Sequence, residues 1–173
     1  MTAIASRILE DDLLWKFKPH ELVTTAWAFA SLDVFNEQLM ASIAVRVEDG
    51  DYLATFKPQE LSNLAWAFAH LGAGSEEVMA TFAKRLLADG FLDTFSPREV
   101  TATALAYARA GHWDEELLSE VVRLTAQEGF LAQLNVKNMI SLAWALSCFG
   151  IATEELMLDI AAQMLRPGVL QKL

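Results

Sequence analysis

The chain has 173 residues, with 13 Lys and Arg against 23 Asp and Glu, for a formal net charge of -10. At 54% hydrophobic and 21% charged it can fill a packed core, which excludes a disordered chain. One Cys excludes an internal disulfide framework and a Cys-rich zinc module, and the acidic balance argues against a protein that coats nucleic acid with its whole surface.

Residues 1–16 come first and match the second half of a longer unit, with Leu13-Leu14 at its end. This opening is not expected to be a signal peptide, because Arg7, Glu10, Asp11 and Asp12 interrupt its apolar residues. The first complete unit starts with FKPHELVTTAWAFASL at Phe17. Pro19 suits the first position of a helix, helix A, which ends near Asp33. Asn36 is a good cap for a second helix, helix B; Glu37 then suits the positive end of its dipole. Helix B runs to about Glu48 and stops at Gly50, and Tyr52-Leu53 closes the unit.

The same order then returns three times. FKPQELSNLAWAFAHLG starts at Phe56, FSPREVTATALAYARAG at Phe95 and LNVKNMISLAWALSCFG at Leu134, 39 residues apart each time. Helix A begins again near Pro58, Pro97 and Val136 and stops at Gly72, Gly111 and Gly150. Ser75, Asp114 and Thr153 cap helix B, each followed by Glu, and Phe91, Phe130 and Val169 repeat the Tyr52 column. Helix B is expected to end near Ala88, Glu128 and Arg166, before Gly90, Gly129 and Pro167-Gly168. Ser96 with Glu99 forms a capping box, whereas Lys18 and Lys57 are poor caps.

Helix A is apolar on most sides and must be sandwiched between neighbours. No strand pattern of period two interrupts this scheme. The expected fold is all-α, a right-handed α-solenoid of stacked helical hairpins. It forms one array over residues 1–173: a half repeat (1–16) and four 39-residue repeats (17–55, 56–94, 95–133, 134–173). In this scheme Trp27, Trp66 and Trp144 fill the space between layers, while Trp15 and Trp113 stand outside that column and are candidates for exposed platforms. Neither end carries a polar capping unit, which suggests part of a longer array or a partner at the ends. The uncharged stretch from Met139 to Thr153 is shorter than the roughly 20 apolar residues that cross a bilayer, so no membrane association is expected.

The phrase F-x-P-x-E-L-x-N-L-A-W-A-F-A-x-L-G, clearest from Phe56 to Gly72, resembles the octotricopeptide repeat and the related repeats found beside RAP and FAST-kinase-like domains. Proteins of that kind are α-solenoids that bind single-stranded RNA in chloroplasts and mitochondria and act in transcript stability, processing and translation. The resemblance therefore implies RNA as the partner and an organelle as the location. The green-algal proline-rich turn and a C-terminal RAP-type domain are not in this chain.

A repeat protein reads RNA through a few variable polar side chains per unit on a constant scaffold. Helix A offers such a column: His20, Thr24 and Ser31; Gln59, Asn63 and His70; Arg98, Ala102 and Arg109; Lys137, Ser141 and Cys148. These positions share one helix face. Plain solvent-facing positions free to drift would give the same pattern. The helix A segments with their entries hold Lys16, Lys18, Lys57, Arg98, Arg109 and Lys137 against Glu21, Glu60 and Glu99. That leaves seven cations against 20 acids elsewhere. The expected RNA-binding set is thus His20, Thr24, Ser31, Lys57, Gln59, Asn63, His70, Arg98, Arg109, Lys137 and Ser141. If each unit reads one base, four units address about four nucleotides. The alternative is a scaffold that holds a peptide or partner helix in its groove, suggested by acidic helix B and by Met40, Met79 and Met157. His20, His70 and His112 lack metal-ligand spacing and there is no phosphate-binding glycine loop, so neither a cofactor nor catalysis is expected.

Overall fold

The computed structural model describes residues 2–166, and among these every regular element is helical. Helix α1 (Thr2–Leu9) continues into a 3-10 segment (Glu10–Lys16). The helix A positions form α2 (Pro19–Ser31), α5 (Pro58–His70), α7 (Pro97–Ala110) and α9 (Val136–Cys148). The helix B positions form α3 (Glu37–Glu48), α6 (Glu76–Leu87), α8 (Glu115–Thr125) and α10 (Glu154–Met164). The expected turn at Pro167-Gly168 and the Val169 column lie outside the described residues.

Local chemistry sets these boundaries. Asn36, Ser75, Asp114 and Thr153 each accept a hydrogen bond from the backbone N–H three residues on, which satisfies one orphan donor per helix B. At the helix A starts, the carboxylates of Glu21, Glu60 and Glu99 accept from the N–H of Lys18, Lys57 and Ser96 at 2.7, 2.8 and 2.7 Å. Lysine has no acceptor to complete a capping box, so only Ser96 does so. Helix A ends on a left-handed residue at Gly72, Gly111 and Gly150 (φ 67, 65 and 65°). Asp33 takes that conformation in the first unit at φ 53°, which Asp tolerates better than most side chains.

One expectation needs correction. Each unit was expected to hold two helices, but a short third segment follows helix B: α4 (Gly50–Ala54) and two 3-10 segments (Ala88–Thr94, Leu131–Gln133). The cause is the third apolar column. Leu53, Leu92, Phe130 and Leu131 are buried, and a tight turn is needed to aim them inward. Tyr52 and Phe91 pack edge-on against Phe56 and Phe95 at 5.3 and 5.1 Å.

In the first layer α2 packs on α5, α5 on α7, and α7 on α9; in the second α1 packs on α3, α3 on α6, and α6 on α8, while α10 lies against α9. Ala26, Ala30, Ala65, Ala67, Ala104 and Ala106 are all fully buried or nearly so in the first layer. Such small residues allow close helix approach. Phe29, Phe68, Phe82 and Tyr107 fill the space between layers, each burial worth about 1.5–3 kcal/mol. Met40 and Met79 belong to this core at 2% and 0% exposure, so they cannot act as surface anchors as they stand.

Arginines of the second layer tie successive units together. The Arg46 guanidinium lies 3.6 Å from the centre of the Tyr52 ring and 5.3 Å from that of Trp15. Arg85 lies 3.6 Å from the Phe91 ring and donates through Nη2 to the Ala54 carbonyl at 3.3 Å. The Nε atoms of both are buried without a hydrogen-bond partner, and the aromatic face provides compensation. In the third unit Leu124 replaces this arginine, and Arg123 instead pairs with Asp93 and Glu120. Burial pushes the Tyr52 phenol up to about 12, and the neutral hydroxyl donates to the Phe17 carbonyl at 3.0 Å.

Two hydroxyls on α7 predict stability changes of opposite sign. Tyr107 Oη, held protonated by burial, donates to the Met79 carbonyl at 2.8 Å, 28 residues away in sequence. Thr103 Oγ1 is buried with no partner. Tyr107→Phe should lower unfolding free energy by about 1–2 kcal/mol, whereas Thr103→Val should raise it by roughly 1 kcal/mol. Urea denaturation of both variants measures the pair.

Candidate nucleic-acid interface

The first layer leaves little of its central helices accessible. Beyond its first turn, α5 buries every residue except Asn63, Trp66 and His70. On α7 the corresponding Ala102, Leu105 and Arg109 are accessible to some degree, with Ala108 and Ala110 beside them. On α2 the same positions are Thr24, Trp27 and Ser31, all exposed. On α9 they are Ser141, half-buried, with Trp144 and Cys148 exposed. His20, Gln59, Arg98 and Lys137, one turn earlier, are exposed as well, and so is Lys57. Each of the eleven sequence-predicted residues therefore lies on accessible surface, on one face of its helix or at its entry.

Contacts between units join these faces. Gln59, Asn63, Arg98 and Ala102 line one open cleft of about 230 Å³ between α5 and α7. At the other end of the helices Arg109 Nη1 lies 3.3 Å from His70 Nδ1, and His70 Nε2 lies 3.7 Å from Asp33 Oδ1. The strip is thus continuous from the first unit to the third, and the packing of α9 on α7 extends it to the fourth.

Its electrostatics differ from those of the rest of the surface. Among the described residues Lys57, Arg98, Arg109 and Lys137 form no ion pair. The acids nearest in sequence, Glu60 and Glu99, spend a carboxylate oxygen on helix N-termini. In the second layer Arg46 pairs with Asp49 and Arg123 with two acids. A local field set by uncompensated cations dominates within about 10 Å at physiological salt, whatever the net charge. Two acids touch the strip among the described residues: Asp33, 3.7 Å from His70 at its first-unit end, and Glu99, which lines the cleft beside Arg98 while its carboxylate caps α7.

The tryptophans overturn an expectation. Trp27 and Trp144 do not fill the space between layers: each is 47% exposed, and Trp66 is half-buried. Helical phase gives the reason. Trp27 stands three residues after Thr24 and four before Ser31, on the strip and away from the buried face of Leu22, Ala26 and Phe29. The phenylalanines two positions on, Phe29 and Phe68, are the core residues. The seven-residue spacing from His20 to Trp27 could have revealed this; the Ala-rich surroundings obscured it. Trp15 and Trp113 are 47% and 53% exposed, as expected for platforms, yet Trp15 lies beside Arg46 and Trp113 packs edge-on against Phe149 at 5.6 Å.

Other surfaces suit RNA less. A larger cleft of about 500 Å³ runs between α8 and α10, but Glu128, Glu155 and Asp159 line it. No cluster of three or more His, Cys, Asp or Glu suited to a metal occurs among the described residues, and no helix there is long and apolar enough to cross a membrane.

No curated protein matches the chain significantly. The family model described as RNA-editing substrate-binding complex 6 protein, RESC6, matches residues 1–166. That span includes every helix described above and the whole strip, and the chain belongs to the RESC6 family.

Proposed function

We propose that the chain binds single-stranded RNA along the helix A strip, as one component of an assembly that holds transcripts for editing. The scaffold in this reading is a right-handed α-solenoid of four 39-residue repeats after a half repeat, of the octotricopeptide type, and part of a longer array. Its role is binding rather than catalysis, and its transcripts are organellar. One observation carries the proposal: among the described residues, the accessible face of the two central first-layer helices runs through Asn63, Trp66, His70, Ala102, Leu105 and Arg109, and the cations on it and at its entry, Lys57, Arg98 and Arg109, form no ion pair. The family description, which names an RNA-editing substrate-binding complex, supports the same ligand.

Four repeats can specify only a short site. Discrimination would come from the differing sets Thr24/Ser31, Asn63/His70, Ala102/Arg109 and Ser141/Cys148. Adjacent repeats outside this chain would lengthen the site.

A second reading is the docking of a basic partner protein on an acidic cleft. Phe35, Ala41, Ala44 and Ala73 line a cleft of about 380 Å³, rimmed by Glu37, Glu48 and Glu77. Such a partner would leave the strip free. Its capture should survive nuclease treatment.

The RNA reading makes a quantitative prediction. Each single-strand phosphate neutralised adds about 0.7 to the slope of log affinity against log salt, so four cations contribute about 3. Fluorescence polarisation with pooled single-stranded RNA should show micromolar binding at low salt. Changing Lys57, Arg98, Arg109 and Lys137 together to Ala should remove most of the slope and weaken binding by more than tenfold. An unchanged slope, or no binding by the wild-type chain at low salt, contradicts the proposal.

A further inference from the structure

We propose that Trp27, Trp66 and Trp144 are stacking platforms for nucleobases, and that the third repeat, which carries Leu105 there, holds the strand by phosphate contacts from Arg98 and Arg109. The inference rests on the RNA reading above and adds how the strip engages its ligand.

Exposure is the first support. Trp27 and Trp144 open and close the row, on the first and last helices of the layer, and both expose 47%. Trp66, on a helix packed on both sides by α2 and α7, also keeps part of its surface accessible, so the position is open in all three repeats that carry Trp. Two such rings together with half-buried Trp66 form a repeated apolar patch on an otherwise polar strip.

Placement is the second. Each Trp lies midway between the polar positions of its own helix, three residues after one and four before the next. Side chains at those separations are neighbours about 5–6 Å apart at Cβ. A base on Trp27 would therefore have the hydroxyls of Thr24 and Ser31 at its edge, and a base on Trp144 would have Ser141 and Cys148. Stacking is tolerant of base identity because every base has a π face, while the flanking groups differ between units. This division gives affinity from the tryptophans and selectivity from their neighbours.

Charge is the third. The repeat without a Trp is the one with arginines on both sides of the vacant position, Arg98 and Arg109, and neither has an acid partner among the described residues. Trp66 already shows the mode of contact: the His70 ring stacks on it at 4.8 Å with planes 19° apart. His70 also touches Arg109, so aromatic and cationic groups alternate without a break from the second unit to the third. A base takes the open side of Trp66 or displaces His70.

The test uses the full chain and two labelled probes, an oligouridylate of about 12 nucleotides and an abasic oligomer of the same length, both read by fluorescence anisotropy at low salt. Trp27→Leu with Trp144→Leu is the informative variant, since the chain itself carries Leu105 at this position, and unchanged helical circular dichroism confirms its fold. The Leu pair should bind the oligouridylate roughly 5- to 150-fold more weakly per platform and the abasic strand unchanged. Trp27→Phe with Trp144→Phe should keep most of the affinity. If the Leu pair binds the oligouridylate as tightly as wild type while the four-cation variant is weakened, the platforms are refuted and the RNA reading stands. Equal wild-type affinity for the two probes also refutes the platforms. A wild-type chain that binds neither probe refutes both proposals.

Discussion

Close approach of helices through alanine is the constraint on which the structure depends. With Ala26, Ala65, Ala67, Ala104 and Ala106 buried at the contacts, α2, α5, α7 and α9 pack side by side, and the second layer covers their other side. A helix held in this way has a single free edge. Whatever occupies that edge is presented once per unit, at a spacing of about 8–10 Å set by helix diameter. A larger side chain at any of these alanines would push two units apart and break the row. Packing and presentation therefore follow from the same small residues.

The distribution of charge follows from a second division of labour. Helix N-termini draw acids to Glu21, Glu60 and Glu99, and the N-terminal turns of the second layer draw Glu76-Glu77, Glu115-Glu116 and Glu154-Glu155. The second-layer arginines are committed to aromatic rings, to a neighbouring unit's carbonyl or to acids. Among the described residues, Lys57, Arg98, Arg109 and Lys137 are left without an ion pair on the first-layer strip or at its entry. A molecule with net charge -10 can in this way offer a locally cationic surface to a polyanion.

Much of this was legible in the sequence because translational repetition supplies four independent copies of each signal. Caps at Asn36, Ser75, Asp114 and Thr153, and stops at Gly72, Gly111 and Gly150, fix helix ends that a single copy would leave ambiguous. The strip was legible for the same reason, as variable positions stand out against invariant ones. Two features were not. The short third segment is set by tertiary burial of Leu53, Leu92 and Leu131, which lacks a helical period of its own. The exposure of Trp27 and Trp144 was not legible because Trp and Phe alternate in A-W-A-F, and composition alone does not show which of the two faces the core. Phase relative to His20 does.

Photo-crosslinking of single-stranded RNA to the full chain, with the adducts mapped by mass spectrometry, tests the central claim most directly. The account predicts adducts on the first-layer strip, in peptides containing Thr24, Trp27, Asn63, Trp66, Arg98 and Trp144. Adducts confined to the second layer, around Arg46, Lys84 and Arg123, would contradict it.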